Sequence, residues 1–162
     1  MFNTKAPGYT GLQLSSLVIL RVFIGWHFLY EGLSKLVNPD WSSVGFLLDS
    51  KGAFSGLFIS LASSPALLRI VDFLNVWGLI AVGLGLILGI LSRYAIAGGI
   101  ALLVLYYLSH PPLVGIKFSA PSEGSYLWVN KNLVEIVALW VLYMFPSSEI
   151  IGLDRFIWKI RK

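Results

Sequence analysis

The sequence contains no cysteine among its 162 residues. That excludes disulfide staples, thiolate-held iron–sulfur clusters, Cys-based zinc sites and thiol chemistry of the kind that passes disulfide electrons to quinone. Any redox role must therefore use a bound cofactor. Charge is also scarce. Only 12% of residues are Asp, Glu, Lys or Arg, about half the share of an ordinary soluble domain. There are two histidines, His27 and His110.

Apolar residues take up the difference: 57% of side chains are hydrophobic and the mean hydropathy is +0.80. Such a chain belongs in a bilayer, and four spans of about 20 residues with their loops account for its whole length. The reading is all-α: a single integral membrane four-helix bundle over residues 1–162, with an interfacial outer loop segment. The stretch from Met1 to Gly11 is polar, and the apolar run after it holds Arg21, Glu31 and Lys35. This is not the pattern of a cleavable signal, so the first span is expected to be retained.

The spans are expected near residues 12–36, 65–91, 94–110 and 127–145. Asn38-Pro39 ends the first, and Pro111-Pro112 ends the third. Between Asp40 and Ser64, glycines, aromatics and short apolar runs suit a re-entrant or interfacial cap lying at the membrane surface. Gly85 and Gly89 form a small-xxx-small pair that permits close helix approach. Ser92-Arg93 is read as the tight turn between the second and third spans.

Orientation follows from the cations. Lys5, Arg93, Arg155, Lys159, Arg161 and Lys162 lie on one side, whereas the two long loops carry Lys51 and Lys117 beyond the span ends. The positive-inside rule then puts both termini in the cytoplasm and both long loops outside. The net charge of +4 reads as topology, not as a nucleic-acid footprint, because no soluble basic module presents it.

Ionisable side chains within the spans carry the functional reading. At 100° per residue, Arg21, His27, Glu31 and Lys35 fall within an arc of about 120° on the first helix, with Glu31 and Lys35 spaced for pairing. Asp72 and Asn75 share a face of the second helix, and Asn132 and Glu135 share one of the fourth. His110 ends the third. A charge at the bilayer centre costs about 2.5 to 3.5 kcal/mol or more unless paired or hydrated, so these groups should point inward. Topology puts all but Arg21 in the outer half. Two readings stay open: a polar network in which Glu31, Asp72 and Glu135 neutralise Arg21, Lys35, Arg69 or Lys131, and a pocket that binds a head group or moves protons. Trp41, Trp77, Trp128 and the Tyr106-Tyr107 pair read by default as interface or packing residues. His27 and His110 differ by roughly 7 Å along the membrane normal, which argues against a bis-imidazole haem. His27 and Glu31 alone lack further strong donors for a metal. Neither haem nor metal is expected.

The stretch LVILRVFIGWHFLYEGLSKLVNP, residues 17–39, resembles the opening helix of the DoxX family, in which an early Arg and a late Gly-x-x-Lys recur; here they are Arg21, Gly32 and Lys35. The following NPDWSSVGFLLDSKGAFSG resembles the first outer loop of the DoxD-like branch, the membrane subunit associated with thiosulfate:quinone oxidoreductase. The segment IIGLDRFI, residues 150–157, resembles the family's Leu-Asp ending. The resemblance implies a multi-pass subunit in a bacterial or archaeal cytoplasmic (inner) membrane. Such a subunit passes electrons from an outer-face, periplasmic oxidoreductase to ubiquinone or menaquinone.

On that reading His27 and Glu31 handle protons, while Arg21 or Lys35 stabilises charge on the reduced ring. Asp72, Asn75, Asn132, Glu135, Trp77 and His110 complete the candidate cofactor site. Membrane lipid is the expected surrounding and a homo-oligomer is admitted. The alternative is a non-catalytic membrane anchor or assembly subunit for a peripheral oxidoreductase. A small transporter fits the ionisable stripe but lacks the repeats and broken spans that transporters often show.

Overall fold

The computed structural model describes residues 8–113, 115, 118–119 and 127–159, with the side chains of 158 and 159 excepted. Seven helices and one 3₁₀ turn follow in order, with no strand among the described residues. They are α1 (Gly11–Leu36), α2 (Val44–Leu48), α3 (Ser55–Ser63), α4 (Pro65–Leu88), α5 (Ser92–Ser109), α6 (Lys131–Met144), the 3₁₀ turn Ser147–Glu149, and α7 (Asp154–Lys159).

Local chemistry sets the ends. Thr10 Oγ1 accepts from the Gln13 amide, and Gln13 Oε1 accepts from the Thr10 amide. This reciprocal cap satisfies two donors that the first turn of α1 leaves open. Pro65 opens α4, where its missing N–H has no cost, and Asn130 caps α6 by accepting from the Leu133 amide.

Three of these helices, α1, α4 and α5, are long and apolar enough to cross a membrane. At 1.5 Å per residue the 24 residues of α4 reach about 36 Å, against a hydrocarbon core of about 30 Å. The protein is a multi-pass membrane protein. The fourth expected span is shorter than its sequence limits: residues 127–130 are not helical, and the 14 residues of α6 rise only about 21 Å. Leu127 has φ +67°, a left-handed conformation that does not propagate a right-handed helix.

The four long helices pack in a ring in the order α1, α4, α5, α6. The α1–α4 contact is the most extensive and the α1–α6 seam the slightest. A core of Ile24, Phe28, Leu79, Val82, Leu86, Ile96, Leu103, Leu139 and Leu142 runs down the middle. Glycine permits the tight α1–α4 seam. A Cβ on Gly83 would lie 2.5 Å from the Leu29 amide nitrogen, so no other residue allows this approach. Gly85, half of the expected small-residue pair, does sit against another helix: its Cβ would meet that of Ala95.

The turn between α4 and α5 is made by residues 89–91, before the Ser92-Arg93 pair that the sequence indicates. Gly89 takes φ +65° and Leu91 φ +48°. The Asp154 carboxylate accepts from the Leu91 amide at 2.7 Å and from the Ser92 amide at 3.1 Å, capping α5 from the far end of the chain. Asp154 is 5% exposed. Asp154→Ala is expected to leave both amides without an acceptor and to lower stability by about 2–4 kcal/mol, measured by thermal unfolding in detergent. A melting temperature equal to that of the wild type would disprove this capping role.

Candidate functional site

Arg21 belongs to this terminal end of the bundle. It is 3% exposed, and its guanidinium donates to the Ile151 carbonyl at 2.7 Å and to Ser147 Oγ at 3.3 Å. The sequence stripe that groups Arg21 with Lys35 is thus divided by the fold. Arg21 holds the C-terminal segment under Gly89 and does not line the cavity at the other end of α1.

That cavity, of about 330 Å³, lies at the loop end of the bundle. Phe28, Leu79 and Leu103 line its apolar part, and α1 contributes His27, Glu31 and Lys35 to its polar wall. Spacings of four residues put these three side chains on one helix face. Asn75 enters from α4, Tyr106 from α5, and Lys131 and Asn132 from the first turn of α6. Trp41, Ser42, Ser43 and Phe46 cover it from the connection between α1 and α3.

Two polar chains organise the walls. His27 Nδ1 lies 2.9 Å from Glu135 Oε1, a bond that joins α1 to α6 across the slightest seam of the ring. A carboxylate accepts, so Nδ1 carries the hydrogen and Nε2 remains for other partners. The second chain starts at Glu31, whose Oε2 is 3.6 Å from Lys35 Nζ, the pairing expected from their spacing. Lys35 donates to Asn75 Oδ1 at 3.3 Å, and Asn75 Nδ2 donates to the Tyr106 hydroxyl at 2.7 Å. The ammonium also lies 5.3 Å from the Trp41 ring centroid and 5.8 Å from that of Tyr106, within cation–π range.

Of the remaining candidates, Asn132 lines the cavity, and Glu135 acts on it through His27. Asp72 turns to the cover instead. Its carboxylate accepts from Ser42 Oγ at 2.9 Å and from the Ser43 amide at 2.8 Å, with a further bond from Ser43 Oγ. This fastens α2 over the cavity. Trp77 points away from it, 49% exposed beside Phe73 on the outer face of α4. His110 is also outside: its ring lies between Phe46 at 4.0 Å and Phe118 at 4.5 Å, with Nε2 3.9 Å from Asp49 Oδ2. Asp49 in turn accepts from the Ser119 amide and hydroxyl, which hold its carboxyl below the usual carboxylate range. Arg69 pairs with no acid among the described residues; its Nε donates to the Pro65 carbonyl. Lys117 and Glu123 of the second long loop lie outside the described residues, as does Lys5.

The sequence reading does not single out Tyr106, Trp41, Phe46 or Lys131 as site residues. Aromatic residues near the end of a span carry the same signal whether they meet lipid or a cavity, so nothing local separates the two cases. Among the described residues no group of three or more His, Cys, Asp or Glu side chains has a metal-holding arrangement.

A model of the DoxX family matches residues 16–111. The chain belongs to the DoxX family. The match runs from α1 to the end of α5 and takes in His27, Glu31, Lys35, Asn75 and Tyr106, whereas α6 lies beyond it. Within this DoxX protein, Gly32 and Lys35 of the quoted motif do separate work. Gly32 sits against Leu79 and Ile80 of α4, and Lys35 reaches the cavity. No curated protein and no solved structure matches the chain.

Proposed function

We propose that this protein is the membrane subunit of a quinone-linked oxidoreductase, with the quinone head in the loop-end cavity. The observation that supports it most is one cavity combining aromatic walls, a carboxylate-held histidine and a lysine inside a lipid-embedded bundle. Its volume falls in the range of small-molecule sites, about 300–1,000 Å³. The donor set fits a flat ring with two oxygens: Lys35 offers N–H hydrogens and His27 offers Nε2, and the rings of Trp41, Phe46 and Tyr106 line the same cavity.

A bound quinone supplies two-electron, two-proton redox chemistry. The chain's residues hold and move the protons. Glu135 fixes the His27 tautomer through Nδ1, so that Nε2 can take or release a proton facing the cavity. Glu31 is partly exposed and lies one turn along α1 from His27, while Lys35 offsets negative charge on the ring oxygen. On this reading a quinone enters from the lipid across the α1–α6 seam, the slightest of the ring, which His27, Glu31, Lys131 and Asn132 border. In this reading the terminal end faces the cytoplasm, the loop end receives a partner oxidoreductase, and the donor substrate is bound by that partner. The resemblance of residues 38–56 to the outer loop of the DoxD-like branch favours the same arrangement.

The test is the content of protein purified in native lipid. Extraction should recover quinone in stoichiometric amount along with a co-purifying oxidoreductase. Recovery of the partner without quinone would favour the anchor reading, and ion flux into proteoliposomes of the isolated protein would favour a transporter.

A further inference from the structure

The chain of bonds from Lys35 to Tyr106 has one chemically permitted direction. A lysine ammonium only donates, so the amide oxygen of Asn75 must face Lys35, and the amide nitrogen must face Tyr106. An amide nitrogen in turn only donates. The Tyr106 oxygen is therefore the acceptor of the 2.7 Å bond, and the phenolic hydrogen is not used there. Among the described residues the Tyr106 hydroxyl makes no other hydrogen bond, and the residue lines the cavity together with Lys35. Phe46 stands edge-on to the same ring at 5.9 Å and holds it in place from the cover side.

We infer that Tyr106 is a ligand-binding residue that donates its phenolic hydrogen, alongside the Lys35 ammonium, to a carbonyl-type oxygen of the cavity's occupant. Asn75 is the positioning residue that frees this hydrogen. The inference rests on the quinone reading and deepens it by assigning one ring oxygen to the Tyr106–Lys35 side. A hydroxyl hydrogen turned into an apolar-walled cavity without an acceptor is unfavourable, and a carbonyl or quinolate oxygen removes that cost. Hydrocarbons and ammonium-type ligands have no acceptor to offer, so the site discriminates against both.

The Asn75 geometry makes a diagnostic variant available. In Asn75→Asp the side chain has no N–H to give, so the Tyr106 hydroxyl must donate to the new carboxylate and is lost to the ligand. Asn75→Asp should therefore copy Tyr106→Phe, although it leaves the tyrosine intact.

The experiment uses the full chain in lipid nanodiscs and a short-chain ubiquinone analogue carrying ¹³C at its carbonyls. In the wild type, infrared difference spectra should show one carbonyl stretch lowered relative to the other. In Tyr106→Phe and in Asn75→Asp that band should return toward the free position, with binding weakened about three- to tenfold. Asn75→Gln, which keeps both the amide oxygen and the N–H donor, should retain part of the shift. Bound quinone with identical carbonyl bands and affinity in wild type and Tyr106→Phe would overturn the inference and leave the quinone reading standing. Absence of quinone binding by the wild type would overturn both.

Discussion

His27→Gln is expected to lower quinone reduction by the assembled complex about a hundredfold, the lower range for loss of a positioned proton carrier. Glutamine keeps a hydrogen-bonding side chain of similar reach on α1, so the bundle should still assemble. It cannot cycle between proton-bound and proton-free forms near neutral pH, which imidazole does. Glu135→Gln should reduce the same step by a smaller factor, because it leaves an oxygen to accept from Nδ1 but removes the charge that stabilises the protonated ring. Since the two residues act as one unit, the double variant should be no slower than His27→Gln alone. Steady-state quinone reduction in reconstituted membranes reads all three. Unchanged turnover in His27→Gln would remove the proton-carrier role, and fully multiplicative losses would show that the two residues act separately.

The second large effect is structural and concerns Gly83. Its added methyl would lie 2.5 Å from the Leu29 nitrogen and 2.7 Å from the Leu29 Cα, both backbone atoms that cannot rotate away. Gly83→Ala must push α1 and α4 apart along their main seam, at about 3 kcal/mol or more. Gly83→Val should prevent assembly. Gly78 provides the control on the same helix, because a Cβ there meets only Leu102 Cδ1 at 3.6 Å, an ordinary contact. Gly78→Ala should be neutral or stabilising, since alanine favours the helix by up to about 1 kcal/mol. Thermal unfolding of Gly78→Ala and Gly83→Ala in one detergent measures the contrast. Equal melting temperatures for Gly78→Ala and Gly83→Ala would refute the close-packed seam.

The seam also connects to the site. His27 and Lys35 descend to the cavity from the α1 face next to the one on which Gly25 and Gly32 press on α4. A displaced α1 would carry both cavity residues with it, so Gly83→Ala should also weaken ligand binding, although no atom of Gly83 lines the cavity.

Much of this could be read from the chain itself. Sustained apolar runs have no soluble solution, so the long helices α1, α4 and α5 and their proline and glycine limits were legible. So was the convergence of polar groups at the loop end, because an ionisable residue in a span must turn inward and its depth follows from 1.5 Å per residue. The Glu31–Lys35 pair is a local property of helix geometry and forms as expected. What separates Arg21 from that stripe is a contact 130 residues away in sequence, with Ile151, which helical periodicity does not register. The same holds for Asp154, whose role as a cap on α5 depends on the tail returning beneath the α4–α5 turn.

The sequence alone determined the class of protein, the long helices and the end of the bundle at which ionisable groups gather. Those properties follow from transfer free energy and from the pitch of one helix at a time. Only the tertiary structure decided which of the gathered groups meet. It paired His27 with Glu135, brought Tyr106 into the cavity, and turned Asp72 and His110 to the cover. Partnership across helices depends on rotation and register between them, and those are set by close contacts such as Gly83 on Leu29, not by any segment read in isolation.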